Sequence, residues 1–188
     1  MMRVGNAPVS WGVYEADRPN PPYGEVLDGI ARAGYAGTEL GPFGYLPTSP
    51  RELDHELRSR GLSLGSSFVP LPLEDASRRA ASVRAALDVG RLLSSQRVRE
   101  LIVADDEDPA RAARAGRVPG DGSAGFDDKQ WREAVATLNA VAHALRDELS
   151  MTVVVHHHAG TFVETPQEID RLLAETCLLY TSPSPRDS

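Results

Sequence analysis

Val153-Val154-Val155-His156-His157-His158-Ala159-Gly160-Thr161-Phe162-Val163-Glu164-Thr165-Pro166 runs from a β-branched stretch into three histidines, a small-residue turn, a carboxylate and a helix start. A strand that hands over to a helix through a short polar turn is one β/α unit. Side chains alternate faces along a strand, so His156 and His158 are expected to share one face and His157 to take the other. Neutral imidazole and carboxylate are the usual ligands of a divalent metal of borderline hardness, and Glu164 lies in the following loop. A more ordinary assignment keeps one histidine packed, one solvated and one bonded to backbone. Three together at a strand end favour a polar active-site rim.

The same alternation of strand and helix patterns extends back to the N-terminus. Strands are expected over Arg3 to Val9, Tyr35 to Leu40, Leu62 to Val69, Glu100 to Ala104 and Met151 to His157. Helices are expected over Glu25 to Ala33 with Gly34 as its stop, and from Ser49-Pro50-Arg51-Glu52 to Arg60 with Gly61 as its stop. Two longer ones follow. Leu73 to about Leu93 places Ala81, Ala85, Val89 and Leu92 on one face, and Asp127 to Glu148 is anchored by Trp131, Val135, Leu138, Val141, Ala142 and Leu145. A fifth opens at Thr165-Pro166-Gln167-Glu168 with a capping box. The polar stretch Asp105 to Gly125 exceeds the usual connection length and is expected to be a lid, a binding loop or a mobile excursion.

Five β/α units with short, nearly continuous apolar strands argue for a parallel sheet wrapped by helices. No Gly-x-Gly-x-x-Gly follows the first strand, which removes the main support for a dinucleotide fold. Polar residues gather instead at several strand ends: Asn6 with Ser10 and Trp11, Glu39, Ser66 and Ser67, Asp105 and Asp106, and His156 to His158. A barrel collects its chemistry at that rim, whereas an open sheet concentrates it at one switch point. The expected fold is α/β, the N-terminal part of a (β/α)8 TIM barrel with about five β/α units.

The chain has 188 residues, long enough for a substantial core, and a formal net charge of -7. An acidic balance argues against a nonspecific nucleic-acid binder, which usually carries a basic stripe. No apolar run reaches the roughly 20 residues needed to span a bilayer, and the N-terminus lacks the apolar core of a secretion signal. A soluble cytoplasmic protein is expected. Lys129 is the sole lysine, a bias with no mechanism attached. The one cysteine, Cys177, opens Cys177-Leu178-Leu179-Tyr180-Thr181-Ser182-Pro183-Ser184-Pro185-Arg186-Asp187, which resembles a sequencing adapter translated in frame. Residues 1–176 are thus expected to be the partial barrel and 177–188 a non-native tail, with the natural protein continuing past Thr176.

Asn6-Ala7-Pro8-Val9-Ser10-Trp11-Gly12, Gly34-Tyr35-Ala36-Gly37-Thr38-Glu39-Leu40-Gly41-Pro42, Gly44-Tyr45-Leu46-Pro47, His156-His157-His158-Ala159-Gly160-Thr161 and Glu164-Thr165-Pro166-Gln167-Glu168-Ile169-Asp170 together resemble the inosose dehydratase branch of the xylose isomerase-like (sugar phosphate isomerase/epimerase) TIM barrels. The likeness runs from Arg3 to Thr176, about the first five-eighths of such a barrel. It implies a carbon–oxygen hydro-lyase of inositol catabolism that removes water from a keto-inositol to give a cyclohexane dione. It also implies a divalent cation, manganese or cobalt, in a complete barrel, and leaves homo-oligomerisation open for the full-length protein. A metal would act as a Lewis acid on the developing enolate, and a carboxylate or imidazole would move the proton.

Glu39, His156 and His158 are the candidate catalytic groups, and Asn6, Trp11, Ser67 and Thr161 the candidates for binding a hydroxyl-rich substrate. Glu164 is the candidate metal ligand, its companions lying on strands this chain lacks. The wider superfamily places a glutamate at the end of the fifth strand, where this sequence has histidine. Ordinary alternatives stay open: a helix salt bridge for Glu39, packing for Trp11, a turn-forming role for Asn6. Asp105 and Asp106 are expected to be solvated loop residues, and His55 and His143 surface or packing residues. A sugar or hydroxypyruvate isomerase or epimerase on the same barrel is the alternative enzyme. A non-catalytic, poorly soluble polypeptide is the alternative from outside enzymology, since an open strand edge invites association.

Overall fold

A computed structural model describes residues 3–15, 19–176 and 179–181. The chain divides into two compact units, Met1–Phe68 with Asp88–Leu101, and Val69–Leu87 with Ile102–Ser188. The first contains β1 (Gly5–Asn6), a 3-10 turn (Pro8–Trp11), α1 (Tyr23–Arg32), β2 (Gly37–Thr38), α2 (Pro50–Arg58) and β3 (Ser63–Leu64). Its sheet has the order β1-β2-β3, and all three strands are parallel, with Gly5 opposite Gly37 and Gly37 opposite Ser63. Leu27, Ile30, Leu53 and Leu57 turn inward from the two helices. Arg60, just past α2, joins them through Asp28 at 2.5 Å and Glu56 at 2.5 Å.

The second unit takes most of β4 (Phe68–Leu71) and of β5 (Glu100–Asp105), and α4 (Pro109–Ala112), α5 (Asp128–Leu149), β6 (Thr152–Val155), α6 (Pro166–Glu175) and β7 (Leu179–Thr181). Helix α3 (Arg79–Ser95) contributes its first half here and its second half to the first unit. The sheet order is β4-β5-β6-β7, and β6 and β7 run parallel with Val153 opposite Leu179. Trp131, Leu138, Leu145, Val153, Val155 and Leu172 form its buried apolar core.

Several sequence expectations need correction. The described strands fall in two sheets where one parallel sheet is expected. The strand expected over Leu62 to Val69 is two strands in different sheets, because Gly65-Ser66-Ser67 interrupts it. The expected first and second strands shrink to two residues each, the flanking positions bonding as single links such as Leu40 N–H to Ser66 O. On α3 the alanines at 81 and 85 are exposed, and the buried side is Ser82, Ala86, Val89 and Leu93. A methyl group is too small to orient a helix, so Leu93 and Leu87 decide which face turns in. Strand β6 stops at Val155, one residue before the histidines. Of the tail expected to be non-native, Leu179–Thr181 forms β7, while Cys177, Leu178 and 182–188 lie outside the described residues. Among the described residues no helix is long and apolar enough to cross a membrane.

Candidate active site

In the first unit the ends of β1 and β2 border a cavity of ≈ 370 Å³ that Asn6, Glu39 and Ser66 line at one end and Arg3 and Ser63 at the other. Its floor is largely backbone. A Cβ on Gly37 would stand 2.6 Å from Ser63 O and one on Gly5 would stand 3.2 Å from Gly37 O, so these parallel strands touch where side chains would part them. Glu39 is half-buried at the end of β2, and burial raises its carboxyl above the usual carboxylate range.

Asn6 is tied to its neighbour. The Trp11 indole N–H donates to Asn6 Oδ1 at 3.0 Å, which fixes the amide's orientation. The Trp11 ring lies against α1 at Gly29, where a Cβ would come within 2.6 Å of two ring carbons, and 38% of the residue remains exposed. Ser67 is buried and its hydroxyl donates to Gly41 O at 3.5 Å, holding the turn after β2. The half-buried Ser66, which also lines the cavity, donates to Glu100 O at 3.1 Å.

In the second unit the histidines lie beyond β6, so strict alternation no longer governs them. The His156 ring centroid is 5.7 Å from those of both His157 and His158. Burial, then the neighbouring His158 and His157, lower the pKa of His156, favouring its neutral form. His158 is exposed, with Nδ1 2.9 Å from Ala159 O. His157 Nδ1 is buried without a hydrogen-bond partner.

Thr161 is buried, and its hydroxyl works inside the loop: it donates to His158 O at 2.9 Å and accepts from Val163 N–H at 3.1 Å. Glu164 accepts from Gly116 N–H at 2.5 Å and Gly160 N–H at 2.8 Å, one on each carboxylate oxygen. Gly160 has φ +89° and a Cβ there would meet Ala112 Cα at 3.3 Å, so the turn needs glycine. Among the described residues no group of three or more His, Cys, Asp or Glu side chains is arranged to hold a metal ion. The residues present therefore do not by themselves make the expected metal site.

Two residues without a role in the sequence argument stand out. Asp105, expected to be solvated, is 3% exposed at the end of β5 and accepts from Phe162 N–H at 2.9 Å. Burial, with lesser contributions from Glu74 and Asp106, pushes its pKa up to about 7. Arg111, in the excursion expected to be a loop or lid, is the other; its side chain is 2% exposed and pairs with Glu168 at 8%. Spacing carried no signal for either, since their partners lie about fifty residues away. His55 and His143 are exposed, as expected.

No protein-family model matches the chain. It is 31% identical over 181 residues to an inosose dehydratase of Geobacillus kaustophilus, covering 93% of this chain and 56% of the relative. It is 28% identical over 179 residues to an inosose dehydratase of Lacticaseibacillus casei, covering 93% and 58%. The chain thus spans a little over half the length of these curated relatives. Among solved structures, a xylose isomerase-like TIM barrel protein from Mycobacterium smegmatis in complex with magnesium superposes with TM-score 0.70 at 12% identity, over 98% of this chain and 65% of that one. A probable 3-DHS dehydratase from Bacillus anthracis gives 0.68 at 15%, over 96% and 62%. A D-allulose 3-epimerase from Methylomonas sp. in complex with D-allulose gives 0.63 at 16%, over 93% and 58%. In sequence the chain is similar to inosose dehydratases, and in fold to xylose isomerase-like TIM barrels.

Proposed function

We propose that this chain is the first five β/α units of a (β/α)8 cytoplasmic hydro-lyase that removes water from a cyclic polyol ketone. The observation that carries the proposal is the 31% identity to an inosose dehydratase over 93% of the chain. The cavity beside Glu39 supports it. A six-membered polyol needs donors and acceptors around its rim, and Asn6, Ser66 and Glu39 provide them.

Dehydration next to a ketone needs one group to take the proton on carbon and another to protonate the departing hydroxyl. Within the first unit, Glu39 is the carboxyl suited to carry a proton, because burial disfavours its charged form. Within the second, His156 is held toward the neutral imidazole, the form that accepts a proton. The exposed His158 is the second imidazole candidate. Ser67 and Thr161 serve by holding their turns. A divalent cation, manganese or cobalt by family resemblance, would stabilise an enolate when bound. The donors described here do not assemble around one, Glu164 included, and no step is assigned to it.

The test uses inosose and the rise of enone absorbance. The 188-residue chain alone is expected to be inactive. A chimera carrying residues 1–176 ahead of the remaining length of the Geobacillus relative is expected to be active with manganese or cobalt. E39Q in that chimera should lower kcat/KM by roughly 10²–10⁴-fold. A folded chimera that leaves inosose untouched but interconverts ketoses would establish the alternative, an isomerase or epimerase, which the fold shared with a D-allulose 3-epimerase favours.

A further inference from the structure

We propose that Arg111 is the positioning residue of the histidine segment, and that the excursion after β5 is a fixed wall of the second unit, fastened through Arg111 and Glu164. The inference rests on the reading that the histidines move protons.

Arg111 sits in α4, a single turn that Asp108 starts by accepting from the N–H groups of Ala110 and Arg111. Four hydrogen bonds leave its guanidinium. Nε donates to Thr161 O at 2.7 Å, and Nη1 to Ala124 O at 3.0 Å. Nη1 and Nη2 also donate to Glu168 Oε1 and Oε2, each at 2.9 Å. The group further lies 5.1 Å from the centroid of Phe162, whose ring stacks on Phe126 at 4.2 Å. Guanidinium geometry suits this fork, and a point-charge ammonium cannot reproduce it.

The contact with Thr161 reaches the histidines within one turn. Thr161 donates from both N–H and hydroxyl to His158 O, while His158 N–H returns to Val163 O. Three further links fasten the same segment: Phe162 N–H to Asp105, Gly116 N–H to Glu164, and Asp108 N–H to Gly160 O. Glu168, besides holding Arg111, accepts from the N–H groups of Glu164 and Thr165 at the start of α6. Residues 105–124 and 156–168 are therefore cross-linked by a buried ion pair and by side-chain bonds to backbone groups.

The experiment follows the 188-residue chain by amide hydrogen exchange and by NMR titration of its imidazoles, and needs no turnover. In the unmodified chain, the amides of Phe162, Val163 and Glu164 and that of Gly116 should exchange at least a hundredfold slower than unstructured peptide. R111K should not restore what R111M loses, for the geometric reason above. The deciding variant is the double R111M/E168M, which removes both charges together, so no buried ion is left unpaired and the fold should survive. It is expected to melt above R111M and below the unmodified chain, because the N–H groups of Glu164 and Thr165 lose their acceptor, while losing tenfold or more in protection over 158–164. Its His156 midpoint should move up toward the ordinary value near 6.5.

Unchanged protection and an unchanged His156 midpoint in a folded double variant would overturn the proposal, leaving Arg111 as filling. Rapid exchange at Phe162 and Gly116 in the unmodified chain would overturn it regardless of any variant. Failure of the dehydratase reading would show only in the inosose assay.

Discussion

The two units hold their polar strand ends in opposite ways. In the first, the wall beside Glu39 is glycine and peptide, with Gly5 and Gly37 letting neighbouring strands approach where a methyl group would intrude. In the second, the segment after β6 is held by side chains reaching across long intervals: Arg111 to Glu168, Glu164 to Gly116, Asp105 to Phe162. A wall of backbone is vulnerable to atoms added, and a wall of clamps to atoms removed. The first arrangement leaves a cavity bordered by the Glu39 carboxyl. The second commits most of its polar groups to one another.

Removal from the second unit should give the largest effect. R111M leaves the Glu168 carboxylate buried without its cation, a loss of about 3–5 kcal/mol in urea-unfolding stability for a broken buried pair. R111M/E168M should recover part of that loss, the remainder being the backbone partners that Glu168 and Arg111 held. A cost below about 1 kcal/mol for the single change would mean that the clamps carry little, and the contrast between the units would fail.

The second effect is a pH dependence. Asp105 has a folded pKa of about 7 against an unfolded value near 3.9. The stability linked to its protonated form is fully present below pH 4 and is lost as pH rises to about 7, because the unfolded chain releases its proton first. The shift corresponds to at most about 4 kcal/mol across that window. Burial raises Asp106 and Glu39 as well, so they slope in the same direction. D105N isolates the one group. Unfolding free energy measured from pH 4 to 8 should fall less steeply in the variant, and parallel curves would show that Asp105 titrates normally.

Addition to the first unit comes next. G37A places a Cβ 2.6 Å from the Ser63 carbonyl oxygen, a backbone atom that can retreat only if the strands separate. Overpacking of that kind costs about 1–3 kcal/mol. Thermal melts of G37A should show it, and a neutral result would mean that β2 and β3 slide apart freely.

What the sequence disclosed follows the same division. The alternating pattern of strands and helices, the glycine stops at Gly34 and Gly61, and the capping box at Thr165 and Glu168 all lie in contiguous or i, i+3 relationships. Ser49 and Glu52 have the same spacing, yet the Ser49 side chain makes no capping bond, its carbonyl instead accepting from Leu53. Local pattern permits a cap without requiring one. The contacts of Asp105 and Arg111 were illegible for a different reason. Phe162 N–H and Thr161 O are backbone groups, which leave no mark in a sequence, and they lie 57 and 50 residues away. The place of Glu39 at a strand end was legible because a lone carboxylate after Ala36-Gly37-Thr38 marks such an end whatever its partners are.

The smallest effect tests whether Glu39 belongs to the wall or to the cavity. A carboxylate that held β2 in place would, like Glu168, accept several hydrogen bonds from the backbone around it. Glu39 is instead raised by burial alone and borders the cavity, and the sheet link at that residue runs through its own N–H to Asn6 O, which any side chain preserves. E39Q keeps the shape and removes the disfavoured charge, so unfolding stability at pH 7 should change by less than about 0.5 kcal/mol, as for substitutions that break no buried contact. A slight gain is the favoured direction, because the unfolded chain no longer offers an ionised form that the folded state disfavours. A loss above about 1.5 kcal/mol would place Glu39 among the clamps. The first unit would then depend on side chains as the second does, and its carboxylate would not be available for chemistry.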